Sequence, residues 1–387
     1  MKQFILFLVL ISFIDMFSQL PIMSTFAKDL GASPALIGLT VGMYSFTNMF
    51  GNILAGYWID RQGAKKVIIL GFILTAAALL LYTIVNQPEQ LAGVRFLHGL
   101  FSGLLVPAAF TIISNKGSSE KQGKSMAISG VAVGLSAIIG PAFGGIVASK
   151  YSVEWVFISI SIAMLLAAIL SFFILPRGNP DKITRKLERP AHTLLAIIKK
   201  PLLSISFTGA FALMFAQGVL AYMLPLQVQS LDYGSQFSGI LLSTFGITAI
   251  LIFGLPTNRL FDRYDNRHIM LIGMAVIGIA LVMLSTSKSL PFLFLCMIIY
   301  GIGFAFLFPS ISAMLVKNTD QKTRGKAFGL FYAFFSLGVV AGSAVTGILA
   351  VSYAGGFLIA AGILLINTIW MYLYFRNKSA VKERLEK

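Results

Sequence analysis

The sequence predicts an all-α membrane protein, with twelve transmembrane helices arranged as two pseudo-symmetric six-helix bundles. Three observations carry that expectation. The chain is 57% hydrophobic and only 11% charged, against roughly 25% charged residues in an ordinary soluble domain; its mean hydropathy of +0.86 points the same way. Its apolar residues fall in runs of about 20, the length a helix needs to cross about 30 Å of hydrocarbon. And the second half of the chain repeats landmarks of the first at one constant spacing.

The runs lie at 4–26, 35–58, 66–85, 91–114, 124–149, 153–175, 202–225, 238–258, 268–286, 291–315, 326–350 and 355–375. The first begins after Lys2 like a signal peptide. It is longer than a signal core, however, it carries Asp15 at its centre, and no small-x-small cleavage site follows, so it reads as a retained span. Most connections are short. The exception is "PRGNPDKITRKLERPAHTLLAIIKK" at 176–200, polar and holding three of the 13 prolines, as befits a linker between two halves. The expected organisation is a bundle at 1–175, a linker at 176–201, a second bundle at 202–375 and a tail at 376–387.

Orientation follows from the basic residues, which concentrate in cytoplasmic loops. Of the 30 Lys and Arg, all but four fall on the side of the two termini; Lys28, Lys150 and Lys288 lie opposite, and Arg95 lies within a span. Both termini are therefore expected in the cytoplasm. The net charge of +16 is a topology signal and a contact with anionic membrane lipid, not a nucleic-acid surface. Trp58, Trp155 and Trp370 lie near span ends as interfacial anchors. The single cysteine, Cys296, sits in an apolar run, and the three histidines fall in no metal-ligand spacing. No metal, no cofactor and no nucleotide site is expected, and no convergent nucleophile, base and acid suggests an enzyme.

Shifting the sequence by 202 positions superposes Asp60–Arg61 on Asp262–Arg263, Gly71 on Gly273, Gly99 on Gly301 and Pro107 on Pro309. It also brings Gly123–Lys124 onto Gly325–Lys326, Gly140 onto Gly342 and Gly145 onto Gly347. Six spans per repeat put both halves in the same orientation, related by an axis along the membrane normal. Twelve spans, two halves and a central linker resemble the major facilitator superfamily over essentially the whole chain. That resemblance implies two halves that rock about a central cavity.

"GYWIDRQGAKK", 56–66, resembles that family's signature between its second and third helices, with Gly56, Asp60, Arg61, Gly63 and Lys65 on matching positions. A carboxylate at this edge suits the N-terminus of a helix, where unpaired N–H groups carry about +0.5 charge. By the resemblance, Asp60 would latch onto the start of the eleventh span near Gly325. The copy at Asp262 and Arg263 has Asp265 where the first has Gly63, and a weaker latch is expected there.

Within the spans, an acid near mid-membrane costs about 2.5–3.5 kcal/mol on insertion scales, which Asp15 must recover by pairing, neutralisation or use. Arg95 and His98 enter from the outer end of the fourth span. His98 is expected at the depth of Asp15, in a hydrogen-bonded or salt-bridged cluster. "RFLHGLFSG", 95–103, resembles the family's fourth-helix motif, which the family links to proton coupling, with His98 where Gln is more usual. "SAIIGPAFGG", 136–145, resembles its antiporter motif through Gly140, Pro141, Gly144 and Gly145. Half two has Ser343 in place of that proline. Gln19, Asn48, Gln217, Tyr222 and Tyr300 are the expected cavity residues.

The resemblance is strongest to twelve-helix drug:proton antiporters of bacterial cytoplasmic membranes. It implies a monomeric multi-pass exporter of small apolar or amphipathic compounds, with protons and membrane lipid as its other partners. A dedicated exporter of one metabolite, such as a siderophore or sugar, an uptake symporter and, from a different class, a lipid-handling membrane protein or a membrane enzyme are the alternatives.

Overall fold

The computed structural model describes residues 2–114, 119–176, 195–254, 265–319 and 323–385. Among these residues every regular element is helical. In chain order they are α1 (Lys2–Ser18), α2 (Met23–Asp29), α3 (Pro34–Gln62), α4 (Ala64–Leu81, continued by a 3-10 turn, Tyr82–Ile84), α5 (Pro88–Ser102) and α6 (Leu105–Ser114). There follow α7 (Ser119–Lys150), α8 (Val153–Ile174), α9 (Pro201–Ser230), α10 (Ser235–Gly254), α11 (Asn266–Thr286), α12 (Leu290–Lys317), α13 (Arg324–Ile348) and α14 (Tyr353–Leu385).

Among the described residues, ten stretches are long and apolar enough to cross a membrane, and the pair α1 and α2 makes an eleventh. α3 is helical for 29 residues but richer in polar side chains; with it, the helices account for all twelve runs. The first run is not the single straight helix its apolarity suggests. α1 and α2 meet at a bend of 42°. Pro21 is the reason: it has no N–H to give back to Phe17, and its ring disfavours helix at Leu20. Asp15 thus falls in the last turn of α1 rather than at mid-helix.

Apolar side chains left outside the packing show where lipid sits. On α8, Ile162, Leu166, Ile169 and Phe173 are all exposed at helical spacing. The opposite face, Val156, Phe157, Ile160, Met164 and Ala167, is buried. So wide an apolar stripe on the surface of a helix belongs against hydrocarbon. Trp155 and Trp370 are exposed in the same way.

The chain forms two compact units. One comprises Met1–Lys186, Ala221–Gly246 and Ser343–Ala350; the other comprises Leu187–Leu220, Ile247–Gly342 and Val351–Lys387. The first unit thus adds to the opening spans the last turns of α9, most of α10 and the end of α13. These additions dock through two seams of the same design. In one, Gly145 of α7 lies against Ser235 and Gly239 of α10, and Gly239 lies against the carbonyl of Pro141. In the other, Gly347 of α13 lies against Pro34 and Gly38 of α3, and Gly38 lies against the carbonyl of Ser343. A side chain at any of these glycines would overlap backbone of the facing helix, so only glycine permits the approach. Pro141 also explains where α10 lies. Proline leaves the Ala137 carbonyl without its helical N–H, and α10 covers that stretch with Gly246 against Ala137 and with a Ser243 hydroxyl donating to Ile138 at 2.6 Å. In the second unit α12 packs on α11 at Gly273 and Gly303 by the same kind of close crossing.

Candidate functional site

α1 ends where its own side chains take over its last carbonyls. Ser18 Oγ and Gln19 Nε2 both donate to the Asp15 carbonyl, each at 3.0 Å. An acid in this last turn faces the negative end of the helix dipole, so its charge needs donors from elsewhere. Gln19 supplies one, Nε2 to Oδ1 at 2.9 Å. His98 supplies the other, Nε2 to Oδ2 at 3.0 Å. Asp15, Gln19 and His98 are all completely buried.

α5 carries His98 to that place by crossing α3 closely. Gly99 and Gly103 lie against the α3 backbone at Tyr44, Asn48 and Gly51. The crossing brings Tyr44 edge-on to the imidazole, with centroids 5.1 Å apart, and sets the Arg95 guanidinium 4.8 Å from the centre of the Tyr44 ring. The Tyr44 hydroxyl shares a 2.5 Å hydrogen bond with Ser102. Arg95 donates to Gln19 Oε1. Because a guanidinium only donates, this bond fixes the amide: Oε1 turns to Arg95 and Nε2 to Asp15. Arg95 therefore reaches the carboxylate through one amide rather than directly. The remaining imidazole nitrogen, Nδ1, lies 3.1 Å from the Tyr82 hydroxyl, in the 3-10 turn after α4.

The structure thus brings the three expected coupling residues, Asp15, His98 and Arg95, into one buried network, and it adds Gln19, which the sequence suggested for a cavity wall. Tyr44, Tyr82 and Ser102 were not expected. Tyr44 had a signal, since it begins a polar stripe at helical spacing with Thr47, Asn48 and Asn52. Tyr82 had none, because it lies past the end of a helix whose last turns are wholly apolar.

Of the other cavity candidates, Asn48 is half-buried and bonds Gly99 and Asn52 along the α3–α5 crossing. Tyr222 is buried, and its hydroxyl donates to the Pro34 carbonyl at 3.1 Å, at the seam of α3. Tyr300 donates to Gln217 Oε1 at 3.2 Å within the second unit. The antiporter-like motif residues Gly140, Gly144 and Gly145 on α7 divide their faces: Gly140 and Gly144 lie on α1 at Phe17 and Ser18, and Gly145 lies on α10.

In the first loop motif, Gly63 joins α3 to α4 with a φ of +84°, which L side chains rarely adopt, and its N–H bonds Ile59. Lys65 reaches the last carbonyls of α8, at Phe172 (2.7 Å) and Leu175. Arg61 stacks 4.2 Å over Tyr57. Gly56 and Asp60 are exposed, and among the described residues Asp60 has no hydrogen-bond or ion-pair partner. Asp262 and Arg263 lie outside the described residues. Asp265, in register with Gly63, does a different job: its side chain caps α11 by accepting from Arg267 N at 3.0 Å.

Helices of membrane length, lipid-facing apolar stripes and a buried ionisable network define a multi-pass membrane protein. The family model "Major Facilitator Superfamily" matches residues 5–251 and 206–387. The chain belongs to that superfamily. It is 27% identical to an MFS-type transporter of Methanocaldococcus jannaschii, over 85% of this chain and 86% of that one. It is 25% identical to the multi-drug resistance efflux pump PmrA of Streptococcus pneumoniae, over 94% and 93%. It is 24% identical to the multidrug resistance protein MdtG of Salmonella paratyphi A, over 93% and 91%. Among solved structures, the nucleoside transporter NupG superposes with a TM-score of 0.81 at 19% identity, covering 96% of this chain and all of that one. A bacterial homolog of the lysosomal transporter Spinster superposes with a TM-score of 0.80 at 15% identity, over 97% and 96%. At such identities these two speak for the fold alone.

Proposed function

We propose that the protein exports small apolar or amphipathic compounds across a bacterial cytoplasmic membrane in exchange for protons. In this reading it is a monomer of two six-helix halves joined by the 176–201 linker, with both termini cytoplasmic. The observation that carries the reading is the fully buried Asp15–His98 pair. A carboxylate and an imidazole at 3.0 Å can hold one proton more or less without moving a heavy atom. The similarity over nearly the whole chain to a multi-drug resistance efflux pump, and to a second multidrug resistance protein, supports the direction of transport.

Ionised Asp15 and Arg95 balance one another, and an added proton leaves the network one charge positive. A loaded site therefore repels a cationic amphipath, and an empty one tolerates it, which is the sign that exchange requires. The proton is taken from outside, where its concentration is higher, and released inside. Alternating exposure requires an element with two arrangements. The Gly145–Gly239 and Gly347–Gly38 seams are that element. They lie at the end which the charge bias assigns to the outside, and they part when the outer face opens. Asp60, exposed at the opposite end of α3, is free to latch that end when the seams are open.

The test is transport into liposomes under an imposed pH gradient. Asp15→Asn keeps shape and hydrogen bonding but not the proton. It is expected to lose gradient-driven accumulation and to keep exchange of labelled for unlabelled substrate. His98→Gln is expected to impair the first without the second. Gradient-driven transport at the wild-type rate in Asp15→Asn refutes the reading.

A further inference from the structure

Tyr82 stands at the far side of His98 from Asp15. Its ring stacks on Phe157 of α8 with centroids 4.1 Å apart and planes 10° from parallel. It meets the imidazole edge-on at 5.7 Å. The hydroxyl is thus clamped 3.1 Å from Nδ1 by two rings and is itself buried. So held, the phenol is more than filler. Resting on the proton-exchange reading above, we propose that Tyr82 is the positioning residue of the site: its hydroxyl donates to His98 Nδ1 when the site is empty and accepts from it when the site is loaded.

Proton bookkeeping gives the argument. With Asp15 ionised, its carboxylate only accepts, so the His98 hydrogen sits on Nε2 and Nδ1 is a bare acceptor. Tyr82 O–H then donates to Nδ1. A proton added to the site has two resting places. It can sit on Nδ1, making imidazolium. Or Asp15 Oδ2 can hold it and donate to Nε2, with the histidine hydrogen now on Nδ1. In both loaded forms Nδ1 carries hydrogen, and the only change at that nitrogen is a rotation of the Tyr82 hydroxyl. A phenol can do this, since it donates and accepts; a residue that only donates or only accepts would serve one state and oppose the other. Among the described residues, the ionisable groups around the imidazole are Asp15 from α1, Tyr44 from α3, Tyr82 itself and Arg95 on its own helix. α4 has no charged residue beyond Lys66, α6 has none, and α8 approaches through Phe157.

Removing the hydroxyl should harm both states unequally. The empty state loses a neutral hydrogen bond and the loaded one a hydrogen bond that is charged in its imidazolium form. Charged bonds are worth more, and the difference corresponds to about a five-fold change in proton affinity. Tyr82→Phe is therefore expected to need about five-fold more protons for half-maximal gradient-driven transport, with exchange of labelled for unlabelled substrate intact. Phe157→Leu, which unclamps the ring and keeps the hydroxyl, is expected to shift the profile the same way but less.

A second measurement is nitrogen NMR of 15N-histidine protein in liposomes, in a His192→Gln/His268→Gln background. At alkaline pH, His98 of the otherwise native protein should show Nε2 protonated and Nδ1 bare and hydrogen-bonded, and in Tyr82→Phe the Nδ1 signal should move to that of an unbonded nitrogen. A bare Nε2 in the native protein overturns the proposal, even if Tyr82→Phe fails to fold. So does a Tyr82→Phe pH profile identical to wild type. If Asp15→Asn is uncoupled while Tyr82→Phe behaves as wild type, this proposal alone fails. If Asp15→Asn stays coupled, the proton-exchange reading fails and this one falls with it.

Discussion

Adding one methyl group at Gly145 tests whether the glycine seams are what hold the outer end shut. A Cβ there would lie 2.5 Å from the Ser235 carbonyl oxygen and 3.0 Å from the Gly239 Cα. Ordinary contacts begin at 3.4 Å, so α7 and α10 must separate by roughly 1 Å, and both obstacles are backbone, which cannot rotate away. Overpacking of this kind costs about 1–3 kcal/mol. The strain exists only while the seam is closed. Gly145→Ala should therefore raise the ratio of parted to closed seams by roughly five-fold to a hundred-fold, at 1.4 kcal/mol per decade. A cysteine at Ser343, fully buried in the other seam beside Gly38, reports the opening through its labelling rate with a membrane-impermeant maleimide. The host is Cys296→Ser, which removes the native thiol. Gly93→Ala is the control, since a Cβ there meets nothing within 4 Å. Labelling of Ser343→Cys that is unchanged by Gly145→Ala, or raised as much by Gly93→Ala, would show that the two seams do not open as one.

Three further outcomes follow from the same account. Asp60→Asn should cut transport several-fold and leave substrate binding intact, because the latch matters only when the inner end closes; Asp262→Asn should do less, since Asp265 stands where the first motif has Gly63. Transport by Asp60→Asn at the wild-type rate, measured in liposomes, removes the latch. For topology, an impermeant reagent added outside cells should label Lys150→Cys and not Lys182→Cys, and the reverse pattern would overturn the assigned orientation. For coupling, Asp15→Asn should separate gradient-driven accumulation from exchange, as set out above.

Most of the fold was legible because bilayer length and apolarity leave few choices. Each apolar run corresponds to a helix or, at 4–26 and 91–114, to a pair of consecutive helices. The first break was missed because hydropathy is blind to a missing N–H: Pro21 does not lower the apolarity of its run, yet it decides where α1 stops and therefore which turn presents Asp15. The polar stripe that makes α3 less apolar than its neighbours is the surface on which α5 crosses.

The site was legible as far as depth could carry it. Counting down one span and up another places Asp15 and His98 at one level, and the structure has them at 3.0 Å. Depth says nothing of azimuth, and azimuth selected Tyr82, Tyr44 and Gln19. The seams show the same limit from another side. Gly145 and Gly347 align at the 202-residue offset and occupy equivalent places. Their partners do not align at it: Pro34 and Gly38 stand 201 residues from Ser235 and Gly239. A single-residue slip between α3 and α10 hides half of each seam from any comparison at a fixed offset. The packing tolerates the slip because contact is made by backbone at a point where two helices cross, and each crossing needs only a glycine four residues beyond a second close contact. What the repeat conserves is that crossing. Helix identity sets it, not position in the chain, and so the pairing of α7 with α10 and of α13 with α3 becomes visible only when the helices are seen together.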